Sequence, residues 1–209
     1  FIATDDQKFK LLYNIIKHDK PERILVFTNR RDQAERLAEE LDRFGHKCEM
    51  LSGAVTQKRR MRILEEFREG KVTVLVATDV AGRGIHVEGI SHVVNFNIPE
   101  NPDDYVHRIG RTGRAGATGQ SITFACEMES FELPKIEELL GVELKCSMPP
   151  EELLEELPPA PPRKRRPRPE GAGGRPRHQN GRRPQHGDRH NGPRRSGGDR
   201  PPRPHSEGQ

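Results

Sequence analysis

Short apolar runs alternate with amphipathic stretches through most of this chain, and that alternation leaves few folds open. Ile24, Leu25, Val26 and Phe27, within residues 23–28, and the valine-rich residues 72–77 are continuous runs suited to strands buried on both faces. Residues 47–51, 92–96 and 120–125 read as three further strands. Phe9, Leu11, Leu12, Ile15 and Ile16 recur at helical spacing and predict a helix over 6–19, with Thr4 or Asp5 as its N-cap. Helices follow over 31–44 and 57–68, stopped by Gly45 and Gly70, then over 102–109 and 132–140, the last closed by Gly141. Residues 142–146 have the composition of an edge strand. Strands and helices in alternation imply right-handed crossovers and an α/β fold: a mostly parallel sheet with helices on both faces. Ligands of such sheets gather at the carboxyl ends of the strands. Thr28-Asn29-Arg30, Ser52-Gly53 and Thr78-Asp79 all fall at those ends.

The globular part stops near Leu157. From Pro158 to Gln209 there is no Leu, Ile, Val, Met, Phe, Tyr or Trp, so this segment cannot bury a core and is expected to be disordered. It holds 14 Lys and Arg against 4 Asp and Glu, whereas residues 1–157 hold 22 against 28, so the net charge of +4 hides a basic tail on an acidic body. Domains are therefore expected at 1–157 and 158–209. The tail suits a polyanion, RNA rather than a membrane because no aromatic or amphipathic anchor accompanies the arginines; the plainer alternative is a solubilising tail. Cys48, Cys126 and Cys146 lack the spacing of a disulfide framework or zinc site, and no run reaches the roughly 20 apolar residues of a membrane span. The histidines are isolated, so no metal site is expected. The expected location is cytoplasmic, and a start at Phe1 without a signal sequence suggests an excised piece.

Chemistry concentrates in three places. Between Tyr105 and Gly116, Arg108, Arg111 and Arg114 recur every third residue beside His107, with Gly110, Gly113 and Gly116 among them. Guanidinium groups stay charged and present a planar fork that matches phosphate oxygens, and glycines let a loop converge on one ligand. At residues 76–87, Thr78 and Asp79 precede Gly82, Arg83 and Gly84; a hydroxyl, bare backbone and a cation suit a nucleic-acid phosphate. Gly53 is followed by Gln57 and Arg60, which share a face of the first turn of a helix whose N-terminus itself favours anions. The plainer readings are a solvated basic turn, an ordinary loop and an exposed basic helix face, respectively. There is no GxxxxGK[ST] phosphate loop and no Asp-Glu-Ala-Asp run, so nothing in the chain can cradle a triphosphate or hold Mg²⁺.

Taken together and in order, HRxGRxxR at 107–114, TDxxxRG at 78–84, the Gly53 and Gln57-xx-Arg60 element, and Phe27-Thr-Asn-Arg30 resemble motifs of the second RecA-like domain of DEAD-box RNA helicases over residues ~5–147. The bacterial RhlB type is the most similar branch, through the Gly-Ile-His-Val turn at 84–87, Leu133-Pro-Lys-Ile-Glu137 and the arginine-rich tail. The resemblance implies an ATP-dependent RNA helicase. Arg111 and Arg114 would reach the γ-phosphate, His107 would couple two domains, and Asp79, Arg83 and His86 would face the nucleotide. Asn29, Gly53, Gln57, Arg60, Thr78 and Gly82 would contact RNA. His86 stands where the family has Asp, and Arg30 where it has Thr. ATP and Mg²⁺ would be held mainly by an N-terminal RecA-like domain absent from this sequence, and the implied partners are RNA, that domain and the endoribonuclease of the RNA degradosome. Two alternatives stay open: a noncatalytic RNA-binding and nuclease-docking module, and a DNA helicase of the same superfamily.

Overall fold

The expected parallel α/β sheet is present, with strand order β2-β3-β1-β4-β5. The computed structural model describes residues 1–113 and 118–162. Its strands are β1 (Ile24–Thr28), β2 (Cys48–Leu51), β3 (Val74–Thr78), β4 (His92–Asn95) and β5 (Gln120–Thr123), and its helices α1 (Asp5–Asp19), α2 (Arg31–Arg43), α3 (Gln57–Arg68), α4 (Asp79–Gly82), α5 (Pro102–Ile109) and α6 (Leu133–Leu140). Every pairing is parallel, and the register sets Thr28 beside Thr78 and Phe27 beside both Ala77 and Asn95. The ends of β1, β3 and β4 are thereby neighbours, although their sequence positions lie far apart.

Successive residues of a strand face opposite sides of its sheet, and β1 divides accordingly. Ile24 and Val26 join Leu11, Leu12, Ile15, Leu37 and Leu41 of α1 and α2 on one face. Leu25 and Phe27 join Ile63 and Phe67 of α3, with Ile85, Val87 and Ile90, on the other. A smaller cluster of Ile98, Tyr105, Ala125 and Ile136 seats α5 against α6. Beyond α6 the chain returns to α1, where Asn14 Nδ2 donates to the carbonyls of Leu153 and Glu155, each at 3.0 Å. No helix among the described residues is long and apolar enough to cross a membrane.

One expected element is absent. Residues 142–146 form no strand: Gly141 turns the chain at positive φ, and Leu144 N–H donates to Glu137 Oε1 at 2.8 Å, folding this segment back on α6. The neighbour of Ala125 is instead Ile2, through a parallel bridge in which Ala3 N–H donates to Ala125 O at 2.9 Å.

Candidate functional site at the strand ends

Arg108 organises the strand ends. It sits on α5 three residues after Tyr105, so the inward stripe that buries Tyr105 carries the guanidinium inward too; Arg108 is 1% exposed. A buried guanidinium requires partners for its five N–H groups, and it finds them on three strand ends. Nε and Nη2 donate to the two Asp79 carboxylate oxygens at 2.6 and 2.7 Å, after β3. Nη1 donates to Asn97 O at 2.7 Å and to Asn95 Oδ1 at 3.5 Å, at β4. Nη2 also donates to Asn29 Oδ1 at 2.9 Å, after β1. The Phe27 ring lies beneath, 5.3 Å from the guanidinium carbon. Residue chemistry alone offers Arg108 as one of three arginines suited to phosphate, whereas the motif resemblance gives that role to Arg111 and Arg114 only; the Arg108 guanidinium is used within the domain.

Around this centre a small cleft is lined by Phe27, Asp79, Gly82, Arg83, Asp104, His107, Arg108 and Arg111. It brings together four residues that the sequence marks for nucleotide chemistry: Asp79, Arg83, His107 and Arg111. Arg111 is oriented by donating from Nη1 to Ile85 O at 3.0 Å and from Nε to His107 O at 3.1 Å. Arg83 pairs with Asp104, Nη2 to Oδ1 at 2.6 Å, and this carboxylate raises the guanidinium pKa above its ordinary value. His107 Nδ1 stands 3.8 Å from the same oxygen. His86 is exposed, between buried Ile85 and Val87, and does not line the cleft. Arg114 lies outside the described residues, as does the basic tail from residue 163.

The residues that the sequence marks for RNA run beside the cleft. Gln57 and Arg60 occupy the first turn of α3, capped by Thr56, and Arg60 Nη2 donates to Arg83 O at 3.3 Å. Thr78, 8% exposed, precedes α4, and its hydroxyl makes no hydrogen bond among the described residues. Asn29 has both ends of its amide engaged, the oxygen by Arg108 and the nitrogen by Ile98 O at 2.7 Å. The two glycines differ in what requires them. A Cβ on Gly82 would stand 2.3 Å from Phe27 Cε1, so packing alone forbids a side chain there. A Cβ on Gly53 would meet only Val80, at an ordinary 3.6 Å, so the fold leaves that position open. Missing from the sequence reading are Asp104 and the Asn95 and Asn97 partners of Arg108, none of which lies in a recognisable motif.

The donor set suits anions rather than a cation. Asp79 and Asp104, the carboxylates of the cleft, already pair with Arg108 and Arg83, and the described residues contain no cluster of three or more His, Cys, Asp or Glu placed to hold a metal. Arginine forks fixed by backbone carbonyls and carboxylates can meet phosphate oxygens without reorganising.

Residues 7–116 match the family model described as "Helicase conserved C-terminal domain". The chain is 59% identical over 158 residues to ATP-dependent RNA helicase RhlB of Pseudomonas putida, which covers 76% of this chain and 40% of that relative. The chain belongs to the DEAD-box helicase family. It spans about 40% of the length of the first curated relatives it matches. Among solved structures, Escherichia coli DEAD-box protein SrmB, bound to regulator of ribonuclease activity A, superposes with a TM-score of 0.67 at 35% identity, covering 80% of this chain and 94% of that one. Saccharomyces cerevisiae Dbp5 bound to RNA and ADP BeF3 gives 0.62 at 33% identity, covering 67% and 38%. The sheet described above is thus the RecA-like fold of DEAD-box helicases.

Proposed function

We propose that this chain is the C-terminal half of an ATP-dependent helicase that unwinds structured RNA. The body, residues 1–157, closes over ATP and Mg²⁺ held mainly by the N-terminal RecA-like domain of the same protein. Arg111 and Arg114 serve as arginine fingers toward the γ-phosphate, His107 couples the domains, and Asp79, Arg83 and His86 face the nucleotide. Asn29, Gly53, Gln57, Arg60, Thr78 and Gly82 supply half of an RNA groove that reads phosphates and 2′-hydroxyls, with low sequence specificity. The tail, residues 158–209, adds RNA affinity through charge. The protein works in the cytoplasm, in RNA degradation, docked to the degradosome endoribonuclease. Without the phosphate loop and the DEAD motif, the 209 residues alone are inactive.

The observation that carries this reading is the cleft itself. It gathers Arg83, His107 and Arg111 at the strand ends, yet its carboxylates are occupied by arginines, so it has the makings of half a phosphate site. The 59% identity to a relative named as an ATP-dependent RNA helicase supports the same reading. The test is steady-state ATP turnover by the full-length protein with single-stranded RNA or DNA of the same sequence. Stimulation by RNA and not by DNA is expected; equal stimulation by both, or by neither, rejects the reading.

A further inference from the structure

We infer that Asp104 is a positioning residue that ties the RNA-facing arginine of α3 to the nucleotide-facing helix α5, by holding Arg83 between them. This rests on the function proposed above and adds a residue that no motif marks. Three contacts in series carry it. Arg60, in the first turn of α3, donates from Nη2 to the Arg83 carbonyl at 3.3 Å. The Arg83 side chain then donates from Nη2 and Nε to Asp104 Oδ1, at 2.6 and 3.3 Å. On α5 the same oxygen stands 3.8 Å from His107 Nδ1.

The Arg83 main chain is fixed, its N–H donating to Asp79 O at 3.0 Å and the buried Ile85 held by Arg111, so what Asp104 adds is the placement of the Arg83 side chain. Gly84, at φ +81°, follows Arg83 with open space where a Cβ would be, and the Arg83 side chain is 62% exposed. Asp104 is the opposite: its side chain is 13% exposed, and its helix is pinned to the sheet by Arg108. The fixed partner is therefore the carboxylate, and the adjustable one is the Arg83 side chain. Displacement of Arg60 by an RNA phosphate is passed through the Arg83 backbone to a side chain that lines the cleft with Arg111. The Arg83 end of this ion pair lies largely in solvent, which limits its contribution to stability, and Asp104→Asn keeps the shape of the side chain, so the domain stays folded.

The experiment uses the full-length protein, with RNA-stimulated ATP turnover measured while the RNA and ATP concentrations are varied separately. Asp104→Asn is expected to raise both the RNA concentration for half-maximal stimulation and the KM for ATP, by roughly two- to fivefold, with a smaller fall in kcat at saturation. Asp104→Glu, which keeps the carboxylate, should recover part of the loss. In an Arg83→Gln background Asp104→Asn should add nothing, because the two residues act as a unit. A purely structural role would lower kcat with the folded fraction and leave both half-saturation values in place. Wild-type half-saturation values in Asp104→Asn, or effects that simply add to those of Arg83→Gln, overturn the inference. Absence of RNA stimulation in the unaltered protein overturns the proposed function instead, so the two failures are distinguishable.

Discussion

Replacing Arg108 with alanine should destabilise the domain more than any change to the other arginines of the cleft. The substitution removes five N–H donors at once and strands the Asp79 carboxylate, Asn29 Oδ1 and Asn97 O beside the Phe27 ring. Breaking a buried ion pair by deleting one partner costs about 3–5 kcal/mol. The Asp79 side chain is 22% exposed, so water can reach the abandoned carboxylate and the lower end applies, about 3 kcal/mol. For a chain of this length that corresponds to a fall in Tm of about 6–12 °C. Arg108→Lys keeps the charge but has three donors and no planar fork, and should fall between wild type and alanine. Thermal unfolding followed by circular dichroism, with urea titrations to confirm an unchanged slope, measures both. Asp79→Asn in the Arg108→Ala background should recover stability, since the unpaired charge is then gone. If Arg108→Ala stays within about 1 kcal/mol of wild type, the buried network is not the keystone described here.

Two further outcomes follow from the strand ends and the α1–α2 face. Gly82→Ala should destabilise by about 1–3 kcal/mol, because the added methyl meets the Phe27 ring at 2.3 Å, whereas Gly53→Ala should leave the urea midpoint unchanged and weaken RNA binding; unchanged binding removes Gly53 from the groove. His46 packs edge-on to Tyr13 with a buried Nε2 that has no hydrogen-bond partner among the described residues, and burial lowers its pKa below the usual 6.5. The unfolded chain then binds this proton more readily than the folded one, so the contribution is complete above pH about 6.5 and is lost as pH falls through the folded value. Tm should decline over that range, and His46→Phe should flatten the decline; an equal slope in both proteins refutes the assignment.

The layered fold was legible in the sequence because all five strands and the longer helices carry strong local signals. Residues 57–68 and 102–109 match α3 and α5 to the residue, and β3 ends at Thr78, one place beyond the apolar run. What escaped was set by tertiary pairing. The four residues of α4 are too few to show a period, and residues 142–146 lost their strand to a hydrogen bond with Glu137 and a turn at Gly141. At the site, motif spacing pointed to residues that the fold gathers in one cleft, but gave no account of what Arg108 binds. Arg108 and Arg111 both line the cleft, yet Arg108 is buried with Tyr105 and bound to Asp79, Asn29 and Asn97, whereas Arg111 is held by the carbonyls of Ile85 and His107. The buried Tyr105 three residues before Arg108 was the available clue. Asp104 had no such signal, since its role depends on Arg83 arriving from another strand end.

The central claim is that the cleft completes a phosphate site whose ligand is held by another domain, and Arg111 tests it most directly. Arg111→Ala in the full-length protein, at saturating ATP and RNA, should lower ATP turnover by on the order of 10³, the low end for an arginine supplied to a phosphoryl-transfer site, while the RNA affinity is retained. Turnover within a few-fold of wild type would contradict the claim.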